Sequence, residues 1–297
     1  MPNTISSIFE RVAGGLGPLV PSRFRPDIPT VPVVRLSGAI GAVTPLRPGL
    51  TLAGTARALQ KAFAVRNARA VALLINSPGG SPAQSHLIFR RIRQLGEEKK
   101  IPVFAYIEDV GASGGYMLAC AADEIICDPF SIVGSIGVVG GTFGFPKLME
   151  KLGIERRIYT SGERKVMLDP FEPEKPDDVK RIKAIQKDIH EHFIALVKER
   201  RGTKLRGTDK VLFSGEFWTA QKAIELGLAD SIGDLRSNLR QRYGDKVRTP
   251  LIGGERSLLG RRLPGVGALE ALSRQDGFAA DLLSALETRA LWGRYGL

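Results

Sequence analysis

Cysteine and histidine are both scarce in this 297-residue sequence, which limits the chemistry it can support. The two cysteines, Cys120 and Cys127, exclude a disulfide scaffold and a zinc site built from four cysteines. We expect both thiols to stay reduced, as is usual in the cytosol. A histidine metal site or a Ser-His-Asp triad would have to be drawn from only His86, His190 and His192. His190 and His192 are two residues apart on a predicted helix and therefore point to different sides of it.

Long apolar runs are absent as well. No stretch of about 18 uncharged apolar residues occurs, so no membrane-spanning helix is expected. The first residues lack a basic segment followed by an apolar run, so no secretory signal is expected either. Ile5, Ile8, Phe9 and Val12 have the spacing of one face of a short helix, for which packing on a partner subunit, contact with a membrane and disorder are the alternatives. The expected location is the cytoplasm, with peripheral contact to the inner membrane left open.

Charge is unbalanced but not clustered. The formal net charge is +12, yet the basic residues are spread along the chain without a polybasic block or a zinc-finger or RRM pattern. A solvated basic surface and attraction to an anionic membrane are the two interpretations of this charge. Nucleic acid is not an expected partner.

Strand-like and helix-like segments alternate through the first half of the chain. Continuous apolar runs such as AVALLIN are typical of strands buried on both faces of a parallel sheet. The pattern therefore predicts α/β layers, with ligand-binding loops at the carboxyl ends of the strands. The predicted strands are residues 31–36, 70–76, 101–107 and 124–128, and the predicted helices are residues 51–66, 82–97 and 114–122.

The second half of the chain is less regular. Residues 142–175 read as irregular, and helices are predicted over residues 177–201 and 219–227. The sequence is thus divided into an N-terminal amphipathic arm (1–30), a main domain (31–235) and a basic C-terminal extension of unknown role (236–297).

Two glycine-rich turns follow consecutive predicted strands. Ser113 lies in VGASGG, between a buried strand and an apolar helix, where it is either a nucleophile or only a helix N-cap. Gly80 lies in NSPGGS, and the N–H groups of Gly80 and Gly114 could donate to an oxyanion. An ordinary strand-to-helix connection is the alternative for this second turn.

A serine nucleophile needs a base, and Lys165 in TSGERKV is the alternative to the scarce histidines. A lysine acts as a base only when neutral, which requires burial or nearby cations to lower its pKa. Ser135, in VGSIGV, could hold the amine by a hydrogen bond or could simply be a turn serine.

Four motifs together resemble the signal peptide peptidase A family of serine peptidases. They are NSPGGS, DVGASGGYMLACAADEIICDPFSIVGSIGV, YTSGERK and LFSGEFWTAQKAIELGLAD, which occur in the family's order over roughly residues 31–235. The resemblance implies an α/β fold of repeated ββα units with helical extensions, the Clp-protease/crotonase-like spiral fold.

The resemblance also implies roles for the residues singled out above. Ser113 matches the nucleophile, Lys165 the general base and Ser135 the residue that positions the lysine amine. Gly80 and Gly114 match the oxyanion hole, and neither a metal nor an organic cofactor is implied. Family members form rings in which the lysine can reach a neighbouring subunit's serine, and they cut signal-peptide remnants and other short or unfolded apolar peptides.

Two other functions remain open from the sequence. The glycine turns could hold a thioester enolate in an acyl-coenzyme A enzyme, with Glu108 and Asp109 as nearby carboxylates. A non-catalytic scaffold or adaptor that keeps the fold is the other possibility. The sequence departs from many bacterial members of the family in showing no membrane anchor.

Overall fold

The computed structural model describes residues 28–41, 49–162, 164–253 and 289–296. The greater part of the predicted N-terminal arm, residues 1–27, lies outside these ranges. The described residues form a sheet of eight strands. These are β1 (Val33–Ser37), β2 (Val71–Ser77), β3 (Val103–Ala112), β4 (Glu124–Cys127), β5 (Ile132–Gly134), β6 (Phe217–Thr219), β7 (Ser231–Ile232) and β8 (Leu251–Ile252).

Along the sequence, the helices of the described residues connect the strands. They are α1 (Leu52–Phe63), α2 (Pro82–Lys99), α3 (Gly114–Ala119), α4 (Pro146–Leu152), α5 (Pro176–Arg201), α6 (Asp209–Leu212), α7 (Ala220–Glu225) and α8 (Leu235–Tyr243). A single 3₁₀ turn, Gly202–Lys204, follows α5.

Strands β1, β2 and β3 are parallel neighbours and form the centre of the sheet. Their alternate residues enter two different cores. Leu73 and Ile75 pack with one apolar cluster, whereas Val33 and Ala72 pack with another that includes Leu239 of α8. Burial on both faces explains why these strands have continuous apolar sequences.

Strand β3 is longer than predicted, because it continues through Glu108 and Asp109 to Ala112. Its first half pairs with β4 through residues 104–107, and its second half pairs with β5 through residues 110–112. Ser131 is buried where the sheet divides, and its Oγ donates to the carbonyl oxygens of Ile107 and Glu108. The division brings the end of β5 beside the end of β3.

The expected α/β class and Clp-protease/crotonase-like architecture are confirmed. Strand–helix units succeed one another from β1 to α3, and the long third strand then serves two branches of the sheet. Residues 142–175, read as irregular, contain the additional helix α4, which has no buried residue. A helix with no core-facing stripe has no apolar periodicity by which to recognise it.

The expected domain boundary after residue 235 does not separate structural units. Helix α8 begins at Leu235, where the side chain of Asp234 accepts a hydrogen bond from Ser237 N–H, and its Leu239 is buried. Strand β8 pairs with β1. Residues 236–253 therefore belong to the main sheet and core, and residues 254–288 lie outside the described ranges.

Residues 289–296 contact the same sheet. Tyr295 is buried beside Val110 and Ala112 of β3. Its ring meets that of Phe217 edge-on, with the centroids 5.1 Å apart. This part of the C-terminal extension thus lies close to the carboxyl end of β3.

In the part of the chain that the structure describes, no helix combines the length and apolar character needed to cross a membrane.

Candidate active site

Ser113 lies between β3 and α3 in a strained backbone conformation. Its φ is 52° and its ψ is −123°, in the region that favours glycine. Its N–H donates to the carbonyl oxygen of Gly134 over 2.8 Å, and the residue is half-buried. Its side chain does not cap α3, so the N-cap interpretation of this serine is wrong. Strain of this kind costs about 1–3 kcal/mol and is concentrated at functional sites.

The glycine turn after β2 touches Ser113 directly. A Cβ added to Gly79 would lie 2.7 Å from Ser113 Cβ, 3.0 Å from its Oγ and 2.8 Å from the amide nitrogen of Gly114. Any side chain at position 79 would therefore displace the serine. The structure brings together the two turns that the sequence singled out.

Gly80 is fixed by a bridge to Ile40. The bridge uses the Gly79 carbonyl, which accepts from Ile40 N–H, and Ser81 N–H, which donates to the Ile40 carbonyl, both over 2.8 Å. A Cβ on Gly80 would lie 2.1 Å from that carbonyl oxygen. The bridge does not use Gly80 N–H.

Neither Gly80 N–H nor the N–H of Gly114, at the first position of α3, finds an acceptor among the described residues. Two unpaired N–H groups beside a serine hydroxyl are what an oxyanion hole requires.

Ser135 shares a cavity of about 310 Å³ with Ser113. Its φ is 52°, it is buried, and its N–H donates to the Glu216 carbonyl over 2.7 Å. The remaining lining residues are Gly137, Val138, Val139, His190, Ser214, Gly215 and Arg294. Two serines with positive φ therefore face one small cavity.

Lys165 lies elsewhere on the surface of the chain. It occupies an exposed turn, in which its N–H bonds the Gly162 carbonyl over 3.2 Å, and it does not line the Ser113 cavity. Ser113, Ser135, Gly80 and Gly114 are thus gathered at one edge of the sheet, and the described single chain does not bring Lys165 to them.

His190 is a cavity residue that the sequence did not assign. It extends from α5, and its Nε2 lies 3.0 Å from the carbonyl oxygen of Ile136. The predicted separation of His190 from His192 is confirmed, because His192 lines a different groove, between α2 and α5. Helical periodicity predicted that the two histidines point to different sides, but it could not show which loop His190 would contact.

Other candidate groups lie apart from Ser113. Glu108 and Asp109 line a separate cavity of about 890 Å³, together with Arg35. Burial raises the pKa of Cys120 and of Cys127 to about 12, so neither thiol is available as a thiolate nucleophile. Within the described ranges, no three His, Cys, Asp or Glu side chains are grouped as metal ligands.

The family model that matches this chain is that of a peptidase, and several relatives carry protease names. Residues 96–244, which are half of the chain, match the model described as peptidase family S49. The chloroplast protein of Arabidopsis thaliana named serine protease SPPA is 32% identical over 211 residues, which are 69% of this chain and 31% of that protein. A solved structure of a membrane-bound stomatin-specific protease with a substrate peptide is 17% identical, covers 78% of this chain and 97% of that one, and has a TM-score of 0.49.

A relative with a different name is more similar in sequence. The chain is 55% identical over 297 residues to a protein of Brucella abortus named Na(+)/H(+) antiporter NhaA. The match covers 98% of this chain but 40% of that protein, so the larger part of the relative lies outside it. The chain therefore spans less than half the length of either of these two relatives.

Proposed function

The chain belongs to peptidase family S49, and from this membership we propose that it is a serine endopeptidase with Ser113 as its nucleophile. The observation that carries the proposal is the strained Ser113 backbone beside the N–H groups of Gly80 and Gly114, which find no acceptor among the described residues. The antiporter name of the Brucella abortus relative is not carried over, because most of that protein lies outside the match.

The proposed reaction has two steps at one site. Ser113 Oγ attacks the carbonyl carbon of the scissile bond while its proton passes to a base, and the N–H groups of Gly80 and Gly114 bind the oxyanion. The base then protonates the leaving amine, and a water molecule activated by the same base releases the acyl group from Ser113. Loss of one oxyanion donor typically costs about 3 kcal/mol of transition-state stabilisation.

The proposed base is the neutral amine of Lys165 from a neighbouring copy of the chain, held by Ser135. Lys165 is exposed on its own chain, on the same irregular segment as a set of exposed apolar side chains. Apolar groups exposed in such number are typical of a surface that another subunit covers. We call this set the apolar segment. It consists of Val139, Phe143, Leu148, Leu152, Ile154 and Tyr159, each more than half exposed.

The proposed substrates are signal-peptide remnants and other short or unfolded peptides with small or apolar side chains. This proposal rests on the motifs shared with signal peptide peptidase A. Small substrates also suit the cavity beside Ser113, whose volume is about 310 Å³.

The test is hydrolysis of a fluorogenic apolar peptide by the purified chain. Ser113→Ala and Lys165→Ala should each abolish turnover, whereas Lys180→Ala, which removes an exposed lysine of α5, should leave it unchanged.

Full activity of the Ser113→Ala variant would overturn the proposed nucleophile. Full activity of Lys165→Ala alone would overturn the proposed base and leave the nucleophile standing. A folded wild-type chain that turns over no peptide would favour the scaffold alternative.

A further inference from the structure

Three hydrogen bonds hold residues 134–136, and one of them joins this segment to Ser113. The Gly134 carbonyl accepts from Ser113 N–H over 2.8 Å, and Ser135 N–H donates to the Glu216 carbonyl over 2.7 Å. The Ile136 carbonyl faces Nε2 of His190 over 3.0 Å. The first two bonds join backbone groups, and the third depends on one side chain.

The contact with His190 fixes the proton on one ring nitrogen. A carbonyl oxygen can only accept, so Nε2 must carry a hydrogen and donate it. Nε2 carries that hydrogen in the matching neutral tautomer and in the imidazolium, so protonation of the ring preserves the bond. The nitrogen that faces the protein is thus a donor and is not free to take the proton of Ser113.

The backbone conformation of the segment that His190 contacts must be fixed by its surroundings. Ser135 has a φ of 52°, a conformation that costs free energy in residues other than glycine and persists only when its surroundings fix it. Ile136 is buried, and its carbonyl is the next acceptor along the chain. A donor from α5 at this point restrains Ser135 and, through the Gly134 carbonyl, Ser113.

We propose that His190 is a positioning residue of the peptidase site, acting through the Ile136 carbonyl on Ser135 and Ser113. This inference rests on the proposed function, since it assigns His190 to the reaction of Ser113. It also distinguishes His190 from a general base, because the role requires a hydrogen-bond donor and no titration.

Replacement of His190 by glutamine and by asparagine, whose side-chain amides extend to different distances, tests this proposal. In His190→Gln the side-chain amide nitrogen can take the place of Nε2 and donate to Ile136, whereas the shorter side chain of His190→Asn cannot reach it. We expect His190→Gln to keep kcat within about threefold of the wild type, and His190→Asn to lose about tenfold, the effect of one lost hydrogen bond. KM should change little in either variant, and the shape of the pH profile should be the same in all three proteins.

The controls separate this inference from the proposed function. His192→Gln and His192→Asn alter the same helix but line another groove, so both should retain wild-type kcat. Thermal unfolding should show that His190→Asn is folded at the assay temperature.

Wild-type kcat in His190→Asn, with Ser113→Ala inactive, would overturn the positioning role alone. Equal loss in the Gln and Asn variants, with a changed pH profile, would also overturn it and would indicate a base. Turnover by Ser113→Ala would instead be a failure of the proposed function.

Discussion

The ionisation of Asp230 is closely tied to the fold. Its carboxylate accepts two hydrogen bonds from Arg201, at 2.8 and 3.0 Å, one from Lys204 and one from Ile125 N–H. Burial alone would raise the pKa of Asp230, but the hydrogen bonds outweigh it and lower the pKa to about 2. The end of α5 is thereby joined to β4 and to the chain before β7.

Replacement of Asp230 by asparagine should destabilise the protein in a pH-dependent way. The variant leaves the buried Arg201 guanidinium without its anion, so the free energy of unfolding at pH 7 should fall by about 3 kcal/mol. The pKa in the folded state lies below the unfolded value of about 3.9, so the wild type keeps this stabilisation above pH 4 and loses it as the pH falls towards 2. Urea unfolding of both proteins at pH 7 and at pH 3 measures the difference.

Glu225→Gln is the matched control for that experiment. Glu225 pairs with Lys222 at 2.8 Å, but both side chains are about half exposed, so less than about 1 kcal/mol should be lost. A loss for Asp230→Asn that is the same at both pH values, or no larger than that of the control, would contradict the assignment.

Single residues were predictable from the sequence where their role depends on neighbours in the chain. Ser113, Gly80 and Gly114 could be found because each lies in a glycine turn directly after a buried strand. His190 could not be found in this way, because its partner Ile136 is 54 residues away and the helical pattern carries no trace of it. The role of Lys165 stays a prediction, because the described chain does not place it beside Ser113.

Elements were predictable where an apolar run or a helical period marked them. The apolar runs of β1, β2 and β4 and the periodicity of α5 gave segments that the structure confirms. Strands β5, β6, β7 and β8 have only two or three residues and are too short to show a period. Strand β8 also lies in the part of the sequence that was predicted to be a separate extension. What fixes these strands is pairing with β1, β3, β4 or β5, which becomes visible only in the folded chain.

The β5–β6 pair lies at the edge of the sheet that carries Ser113, and Gly134 of β5 fits closely against β6. It pairs with Phe217, its φ is 112°, and an added Cβ would lie 2.7 Å from the Trp218 ring. Gly134→Ala should therefore combine backbone strain with a steric clash and cost about 3 kcal/mol in stability. It should also lower kcat, because the Gly134 carbonyl bonds Ser113 N–H.

Gly38 provides a control with nearly the same backbone conformation. Its φ is 103°, and a Cβ added there would meet no atom within 4 Å, so Gly38→Ala should cost only the strain, about 1 kcal/mol. Chemical denaturation and peptide hydrolysis of both variants give the comparison. Equal losses of stability would show that contact with Trp218 is unimportant.

At the scale of the whole molecule, one region of the described surface exposes many large apolar side chains. The apolar segment and Lys165 lie on the same irregular stretch, which contributes little to the core, and α4 within it buries no residue. Exposed apolar side chains in such number are typical of a surface that another subunit covers.

Mixing two inactive variants should restore activity if Lys165 serves a neighbouring copy. In an assembly of Ser113→Ala and Lys165→Ala chains, a complete site needs an intact serine on one chain and an intact lysine on the next. Random assembly of equal amounts should therefore regain about a quarter of wild-type activity, as the product of two independent chances of one half. The two proteins are unfolded together, refolded as a mixture and assayed on the peptide.

Each variant refolded alone is the control and should stay inactive. No recovery in the mixture, with assembly confirmed by light scattering, would mean that the dyad does not form between chains, because in a dyad within one chain no member of the mixture carries both groups.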